Sequence, residues 1–295
     1  MFVQIEGHQI FYRSFGPERG APTVLGLHGG PGATHDYLLP LEDLSRFGFR
    51  VLLYDALGCG RSERVDDPSL FTLDQDVRRL ESLRQGLDLG RVHLLGSSYG
   101  GLLALAYALD HPQGPRSVVT TGGLANVPLA SAEMERLKRE LPPETLATLL
   151  KHEVRNEFQD PEYLRAVDVF YRRHVCRLDP WPEPVTYSLN HLSVPVYQTM
   201  NGPNEFTIVG NLRDIDLTPR LHELALPLLV TTGRFDEVTP TVGQAIVDEV
   251  RGSRLWVLSN SSHMGFWEER ETYMAGVGEF LRGVDRTGAG TNGSP

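Results

Sequence analysis

Residues 91–110 read RVHLLGSSYGGLLALAYALD, and this stretch decides the fold. An apolar, strand-like run ends at Gly96, and a helix rich in small and apolar residues follows Ser98. The joining residues have the pattern G-x-S-x-G, which in this context is typical of a tight turn that exposes the serine hydroxyl. We therefore predict that Ser98 is a nucleophile on an α/β sheet. The five letters alone are also compatible with an ordinary Gly/Ser turn.

Similar strand-like runs and helices alternate on both sides of this turn. Because the strands are apolar on both faces and separated by helices, they indicate a mostly parallel sheet covered by helices on both sides. Leu73, Val77 and Leu80 recur at helical spacing behind Thr72, which we expect to cap that helix. The strands are predicted at 9–15, 23–27, 50–54, 91–96, 116–121, 226–233 and 254–259.

The alternation is interrupted in the middle of the chain. Helical stretches at 131–141, 144–155 and 161–176 predominate there, with proline-rich loops such as 180–184. The Gly/Ser/Thr-rich end of the chain cannot form a core and is expected to be disordered. The predicted domain organisation is therefore a core in two parts, 1–124 and 221–284, a helical cap inserted at 125–220, and a disordered tail at 285–295.

Composition excludes several functions and locations. A net charge of −10 argues against nucleic acid and anionic membranes as partners, since both attract basic patches. No apolar run approaches the ~20 residues of a spanning helix, and the first residues do not resemble a signal peptide. Cys59 and Cys176 have no metal-like spacing, and two reduced thiols fit a cytoplasmic protein. We expect a protein of the cytoplasm.

A nucleophilic serine needs a base to take its proton and an acid to hold that base. In this architecture the expected chain order is serine, acid, histidine. Asp236 follows the strand that ends near Thr232, and His263 follows the next strand, so both belong at the carboxyl edge of the sheet. We predict a catalytic triad of Ser98, Asp236 and His263. The alternative for His263 is a solvated loop histidine.

The loop after the predicted strand 23–27 contains His28-Gly29-Gly30-Pro31-Gly32. Its glycines allow backbone N–H groups to face a ligand, and the N–H of Tyr99 opens the helix beside the nucleophile. This is the arrangement of an oxyanion hole, and Gly29 is expected to lie against the substrate. A phosphate-binding loop is the rival interpretation, but the Lys-Ser/Thr of a Walker A loop is missing.

Four motifs together resemble the prolyl aminopeptidase (proline iminopeptidase) family of α/β-hydrolase serine peptidases. They are His28-Gly-Gly-Pro-Gly32, Asp55-Ala-Leu-Gly-Cys-Gly-Arg-Ser62, Gly96-Ser-Ser-Tyr-Gly-Gly101 and Gly202-Pro-Asn-Glu205. The resemblance covers residues 1–283 and is strongest to the archaeal tricorn-interacting aminopeptidases. Asp55-Ala-Leu-Gly-Cys-Gly departs from the D-Q-R-G-x-G of many bacterial members, which bears on subfamily and specificity rather than on the reaction.

The resemblance implies an α/β-hydrolase core with a helical cap, a serine aminopeptidase activity, and no metal or organic cofactor. It also implies that Gly30 and Tyr99 form the oxyanion hole. Glu205 and Glu237 are implied to bind the free α-amino group of the substrate. The expected substrate is a short peptide or aminoacyl amide with a free N-terminus, its first residue being proline or another small apolar residue.

The residue types support an amine site independently. An exopeptidase must distinguish a protonated N-terminus from an internal amide, and removing one partner of a buried ion pair costs ~3–5 kcal/mol. Two carboxylates that face one ammonium leave excess negative charge, so one of them is expected to share a proton. Without the family, the alternative for Glu205 is a helix-terminal or solvated loop acid. Tyr197 and Phe206 either line an apolar side-chain pocket or belong to the core of the cap.

Two alternatives to the aminopeptidase stay open at this point. The same triad serves an amino-acid amidase or a carboxylesterase, and a hydrolase-fold interaction protein without catalysis is a more distant alternative. If His263 keeps an ordinary pKa, kcat/KM is expected to peak near neutral pH. The sequence specifies neither the N-terminal residue preference, nor the oligomeric state, nor whether the protein docks onto a larger protease.

Overall fold

A computed structural model describes residues 1–18 and 20–289. Its centre is an eight-stranded sheet. The strands are β1 Phe2–Ile5, β2 His8–Phe15, β3 Thr23–Leu27, β4 Arg50–Tyr54, β5 Val92–Ser97, β6 Pro115–Thr121, β7 Leu228–Gly233 and β8 Arg254–Leu258. Their order in the sheet is β1-β2-β4-β3-β5-β6-β7-β8. The first three strands in this order pair antiparallel, and every pair from β4 to β8 is parallel.

The sheet is apolar on both faces, as the sequence pattern predicts. All residues of β3, β5 and β7 are buried, whereas β8 at the edge is largely accessible. Successive residues of β5 point to opposite faces, so Leu94 and Leu95 belong to two different apolar clusters. Helices cover each of these clusters, which gives the three-layer arrangement of a parallel sheet.

The core helices include the two that the sequence predicts behind Thr72 and Ser98. Helix α1 begins after Thr72, whose hydroxyl accepts a hydrogen bond from the Gln75 N–H at 3.2 Å. A run of 3₁₀ turns over residues 35–47, which the sequence analysis does not predict, contains Pro40. The helices are α1 Leu73–Gly86, α2 Tyr99–Asp110, α8 Pro240–Glu249, the single turn α9 Gly265–Glu268, and α10 Arg270–Ala289.

Between β6 and β7 the chain forms the helices α3 Val127–Arg139, α4 Pro143–Glu153, α5 Pro161–His174, α6 Glu183–Asn190 and α7 Val194–Met200. No helix is predicted for two of them, α6 and α7, and α6 begins within the proline-rich stretch 180–184. Each has a proline in its first turn. Proline is favoured there because its missing N–H has no partner within the helix. The division at 125 and 220 remains a proposal about domain organisation.

The chain stays helical beyond residue 284, where the sequence analysis places the start of a disordered tail. Helix α10 continues to Ala289, and its Asp285 carboxylate lies 3.2 Å from both His93 Nε2 and Arg116 Nη1 at the base of the sheet. These contacts hold the last turns against the core. The rest of the predicted tail, residues 290–295, lies outside the described residues. Within residues 1–18 and 20–289, no helix has the length and apolarity needed to span a membrane.

Candidate active site

Ser98 lies at the junction of β5 and α2, where the backbone makes the sharp turn that the sequence predicts. Its φ of 56° and ψ of −122° are unusual for a residue other than glycine, and they turn its side chain away from the sheet. A side chain on Gly96 would collide with the Gly100 carbonyl, and one on Gly100 would collide with the Leu27 carbonyl. The two glycines are therefore required for the tight approach, and Ser98 is left partly accessible.

Asp236 and His263 meet at the carboxyl edge of the sheet. Asp236 Oδ1 lies 2.7 Å from His263 Nδ1, and both side chains are buried. The Val238 N–H donates to Asp236 Oδ1 at 2.8 Å, and the Thr232 hydroxyl donates to Oδ2 at 3.2 Å, so the carboxylate is fixed in orientation. This leaves His263 Nε2 as the ring nitrogen that can face the nucleophile.

Ser98 and His263 line the same cavity, but the described residues contain no hydrogen bond between them. Contacts of this kind are often long in a ligand-free enzyme and shorten when substrate binds. The arrangement is therefore compatible with a proton transfer from Ser98 to His263.

The protonation of His263 is set by the carboxylates around it. Burial lowers the pKa of His263, but the charge and hydrogen bond of Asp236, followed by the charges of Glu237 and Glu205, raise it to about 10. The imidazole is thus held as imidazolium at neutral pH in the free protein. An ordinary pKa for this base, which the sequence analysis assumes, does not fit these surroundings.

The loop after β3 presents one free N–H group beside Ser98. The Gly29 N–H donates to the Tyr37 hydroxyl at 2.6 Å, and a side chain on Gly29 would lie 2.8 Å from Ser98 Cβ. No described group accepts from the Gly30 N–H, and Gly30 has a φ of 108°, a conformation that favours glycine. The Tyr99 N–H is the first of α2 and has no partner within the helix. Gly30 and Tyr99 line one cavity together with Ser98, which is compatible with the predicted oxyanion hole.

His28 holds the loop after β3 in place through two hydrogen bonds of its ring. Its Nδ1 lies 3.0 Å from the Gly29 carbonyl oxygen, and its Nε2 lies 3.0 Å from the Ala56 nitrogen. Burial lowers the pKa of His28, so the ring is neutral, donating from Nδ1 and accepting at Nε2. The loop is thereby attached to the segment after β4, where Asp55 accepts hydrogen bonds from His35.

Two acidic side chains face the same cavity as Ser98 and His263. Glu237 is 1% exposed, and its Oε2 has no hydrogen-bond partner among the described residues. Glu205 accepts a hydrogen bond from the Tyr197 hydroxyl at 2.8 Å. Burial raises the pKa of Glu205, while burial and the charge of Glu205 hold the pKa of Glu237 well above its ordinary value. The pair is arranged to attract a cation.

Two apolar cavities meet at Ser98, Gly30 and Glu205. The first, about 460 Å³, also contains Glu237 and His263, and the second, about 390 Å³, extends behind Tyr99. Apolar side chains dominate both. In the first cavity they are Val175, Val185, Leu189, Leu192 and Met264, and in the second Leu102, Leu124, Val127, Met134, Ile208, Leu212 and Val238. Groups on either side of a scissile bond can therefore lie in separate apolar spaces.

Tyr197 and Phe206, the aromatic residues suggested from the sequence, are not among the described residues that line these cavities. Phe206 packs in the cap, with its ring centroid 4.8 Å from that of Phe170. Tyr197 acts through its hydroxyl, which holds Glu205. For Phe206 the geometry favours the alternative of a cap-core residue.

Helix α5 of the insertion touches both catalytic loops through His174. Its carbonyl oxygen accepts hydrogen bonds from the Glu237 N–H at 3.2 Å and from the His263 N–H at 3.1 Å. Its ring Nδ1 lies 2.9 Å from the Phe235 carbonyl oxygen. Sequence reasoning groups His174 with the cap helices, and it misses Tyr37 as well, because neither residue belongs to a recognisable motif.

The described residues contain one group of side chains spaced to hold a metal ion, His152, Asp160 and Glu162. It lies on α4 and α5, outside the two cavities. The Lys151 ammonium already bonds Glu162 Oε2 at 2.7 Å, and Asp160 caps α5. These contacts account for the acidic side chains without an ion, and we assign the group no function.

Comparison with known proteins places the chain in a family. The sequence model of the family described as alpha/beta hydrolase fold matches residues 22–270. The structure of VinJ superimposes with a TM-score of 0.93 at 37% identity, covering 96% of this chain and 98% of that one. The fold class predicted from the sequence is therefore confirmed, as an α/β hydrolase.

Two further proteins define the branch. A Saccharolobus solfataricus protein named Proline iminopeptidase is 43% identical over 282 residues, which are 95% of this chain and 91% of that protein. The structure of proline iminopeptidase from Mycobacterium smegmatis has a TM-score of 0.91 and 34% identity, covering 98% of this chain and 99% of that one. The chain belongs to the proline iminopeptidase family, and the resemblance noted in the sequence is confirmed.

Proposed function

We propose that the protein is a serine aminopeptidase of the proline iminopeptidase type, which removes the N-terminal residue from short peptides and amides. The observation that carries this proposal is the pair Glu205 and Glu237 in the cavity that contains Ser98 and His263. An esterase for neutral substrates gains nothing from two buried carboxylates beside its nucleophile. A substrate with a free ammonium group balances their charge.

The proposed reaction begins when Ser98 Oγ attacks the carbonyl carbon of the first residue and His263 Nε2 accepts the hydroxyl proton. Asp236 keeps the other ring nitrogen protonated and the ring in place. The Gly30 and Tyr99 N–H groups stabilise the negative oxygen of the tetrahedral intermediate. His263 then protonates the leaving amine, and water hydrolyses the acyl-enzyme with His263 again as the base.

The substrate's ammonium group is proposed to lie between Glu205 and Glu237, which fixes the distance from the N-terminus to the attacked carbonyl. Because Glu205 and Glu237 line the same cavity as Ser98, we propose that an ammonium group bound there brings the carbonyl of the first residue to Ser98, so that single residues are removed. The apolar lining of both cavities favours proline or another small apolar side chain at the first position. Names of relatives such as that of Saccharolobus solfataricus support the same substrate class.

The binding partners and the cellular location that we propose follow from the charge and the composition of the chain. The net charge of −10 is unfavourable for binding nucleic acid or an anionic membrane surface, and short peptides are the proposed partners. Two buried free thiols, Cys59 and Cys176, fit the reducing conditions of the cytoplasm. Each step of the proposed reaction uses side chains, backbone N–H groups and water, and none of them requires a cofactor.

Three substrates test the proposal: a prolyl arylamide, its N-acetylated form, and a simple acyl ester. We expect kcat/KM to be greatest by far for the free-amine arylamide, and Ser98→Ala to abolish turnover of all three. Faster hydrolysis of the N-acetylated form would identify an amidase without a requirement for an N-terminus. Faster hydrolysis of the ester would identify a carboxylesterase.

A further inference from the structure

Glu237 is close enough to His263 to interact with the catalytic base as well as with a substrate. Its Oε1 lies 3.9 Å from His263 Nε2, the nitrogen that must accept the Ser98 proton. Both side chains are buried, and Glu237 Oε2 faces the cavity without a partner among the described residues. At this distance and burial two opposite charges are poorly screened.

Carboxylates face this pair from two neighbouring elements. On the loop after β7 the neighbour is Asp236, and from the insertion Glu205 contributes a second carboxylate. The other titratable side chains around Glu237, His263 and their neighbouring carboxylates are Tyr171, His174, Tyr197, Tyr37 and Glu268. No Lys or Arg lines either cavity among the described residues, so no fixed cation offsets the carboxylates.

The free enzyme balances this negative charge with protons. Burial and the charge of Glu205 raise the pKa of Glu237, and the carboxylates outweigh burial in raising the pKa of His263. The two shifts describe one coupled set of protons rather than two independent groups. When the proton is on His263, its Nε2 has no lone pair left to accept the Ser98 proton, so this form of the free enzyme lacks its base.

We infer that the substrate's ammonium group activates the enzyme by displacing a proton from the Glu237–His263 pair to solvent. This inference rests on the proposed function, because it requires the ammonium site between Glu205 and Glu237. The ammonium supplies the positive charge that the proton supplied before, so Glu237 is left ionised and His263 neutral. His263 Nε2 can then accept the proton of Ser98.

This displacement gives Glu237 a second way to determine specificity. A substrate without a free amine binds less tightly and also leaves His263 protonated, so its acylation is slow even at saturation. The difference between substrates with and without an amine then appears in kcat as well as in KM. A carboxylate that only binds the amine would stabilise the bound substrate and the transition state equally, and would therefore change KM but not kcat. The proton leaves as buffer-bound H⁺, and no other reactant is needed.

The direct test is proton release on binding. Ser98→Ala protein is titrated with L-prolinamide by calorimetry at pH 7, in two buffers of different ionisation enthalpy. We expect roughly one proton released per ligand, and an association constant that rises about tenfold per pH unit over the range in which the ligand stays protonated. N-acetyl-prolinamide, which has no ammonium group, serves as the ligand control and should release none.

Two variants in the Ser98→Ala background complete the test. Glu237→Gln removes one member of the pair, and we expect proton release to fall toward zero even if the ligand still binds. Glu223→Gln removes one negative charge from an exposed position outside the cavities and should release as many protons as the parent.

The outcomes separate the inference from the proposed function. Binding of L-prolinamide without proton release, or release unaffected by Glu237→Gln, overturns the inference and leaves the aminopeptidase intact. Failure of L-prolinamide to bind more tightly than its N-acetyl form removes the ammonium site itself, and with it both proposals.

Discussion

The backbone of Gly122 lies directly against the imidazole of His263: a Cβ on Gly122 would be 2.5 Å from His263 Cε1. The same atom would lie 2.9 Å from Asp236 Oδ2. We expect Gly122→Ala to push His263 away from Ser98 and to lower kcat by ~10²-fold or more, the loss typical of a misplacement of about 1 Å. The measurement is kcat on a prolyl arylamide.

Gly252→Ala is the matched control. Gly252 also has a positive φ, 81°, but no atom lies within 4 Å of the position that its Cβ would take. Both variants carry the backbone strain of ~1–2 kcal/mol expected for a non-glycine residue there, and only Gly122→Ala should affect the rate. Equal kcat values for the two variants would show that the space around His263 does not matter.

Asp236→Asn should reduce the activity on every substrate. Asp236 Oδ1 accepts the Nδ1–H of His263 at 2.7 Å, and an amide there permits the wrong tautomer of the ring. We expect kcat to fall by ~10⁴-fold, as for the equivalent change in other serine hydrolases, on amine-bearing and neutral substrates alike. The measurement is kcat of the variant on a prolyl arylamide and on an acyl ester. A loss of activity on only one of these substrates would contradict the role of Asp236 in orienting His263.

Glu205→Gln and Glu237→Gln should separate amine-bearing from neutral substrates. Removing one partner of a buried ion pair costs ~3–5 kcal/mol, so kcat/KM on a prolyl arylamide should fall by ~10²–10⁴-fold. On a neutral ester neither variant should lose activity, because no ammonium group is bound. An equal loss on both substrates would assign these carboxylates to the fold rather than to the substrate.

The pH dependence of kcat/KM should be a bell with an alkaline maximum. Activity needs neutral His263, whose pKa is raised to about 10, and a protonated substrate amine, whose ordinary pKa is ~7.7–8.0. The two forms coexist most often midway between these values, so the maximum is expected near pH ~9 rather than at neutrality.

Below that maximum the rate falls because His263 is protonated, and above it because the amine loses its proton. A blocked-amine substrate should therefore keep the acid limb and lack the alkaline one. Rate profiles from pH 6 to 11 on both substrates decide this. A maximum that stays near pH 7 would show that the surrounding carboxylates do not shift His263.

Tyr37→Phe should weaken the oxyanion loop. The variant removes the acceptor of the Gly29 N–H and leaves that buried group unpaired, which costs ~1–3 kcal/mol of stability. We expect kcat to fall by ~10-fold, less than the 10²–10³-fold for loss of an oxyanion donor itself. Tyr12→Phe, on β2 and three strands away from β5, removes a half-buried hydroxyl and should leave kcat unchanged.

The elements that could be predicted from the sequence are those whose signal is local. The strand-turn-helix around Ser98 carries its own glycines, and Asp236 and His263 follow apolar strands that could only end at one edge of the sheet. Their placement in the structure matches those predictions in position, although their catalytic roles stay proposals. Glu205 and Glu237 needed the family motif, because nothing local distinguishes them from other loop acids.

The features that could not be predicted from the sequence depend on contacts between segments that are distant along the chain. Tyr37 lies in 3₁₀ turns with no helical period, and its hydroxyl matters only because Gly29 comes close in space. Helices α6 and α7 are short and have a proline in the first turn, so their local sequence does not distinguish them from loops. The raised pKa of His263 likewise follows from three carboxylates, one of them on the insertion, and no single stretch of sequence contains that information.

The His174 carbonyl limits how the substrate preference of this protein can be altered. Because one oxygen atom of the insertion bonds the N–H groups of both Glu237 and His263, the cap is not an independent module that evolution or an engineer can exchange freely. A chimera with a relative's cap would lose rate unless it restored an acceptor at that point. New substrate preferences are more accessible through substitutions at cavity-lining positions such as Leu189 or Met134, which leave the backbone of His174 untouched.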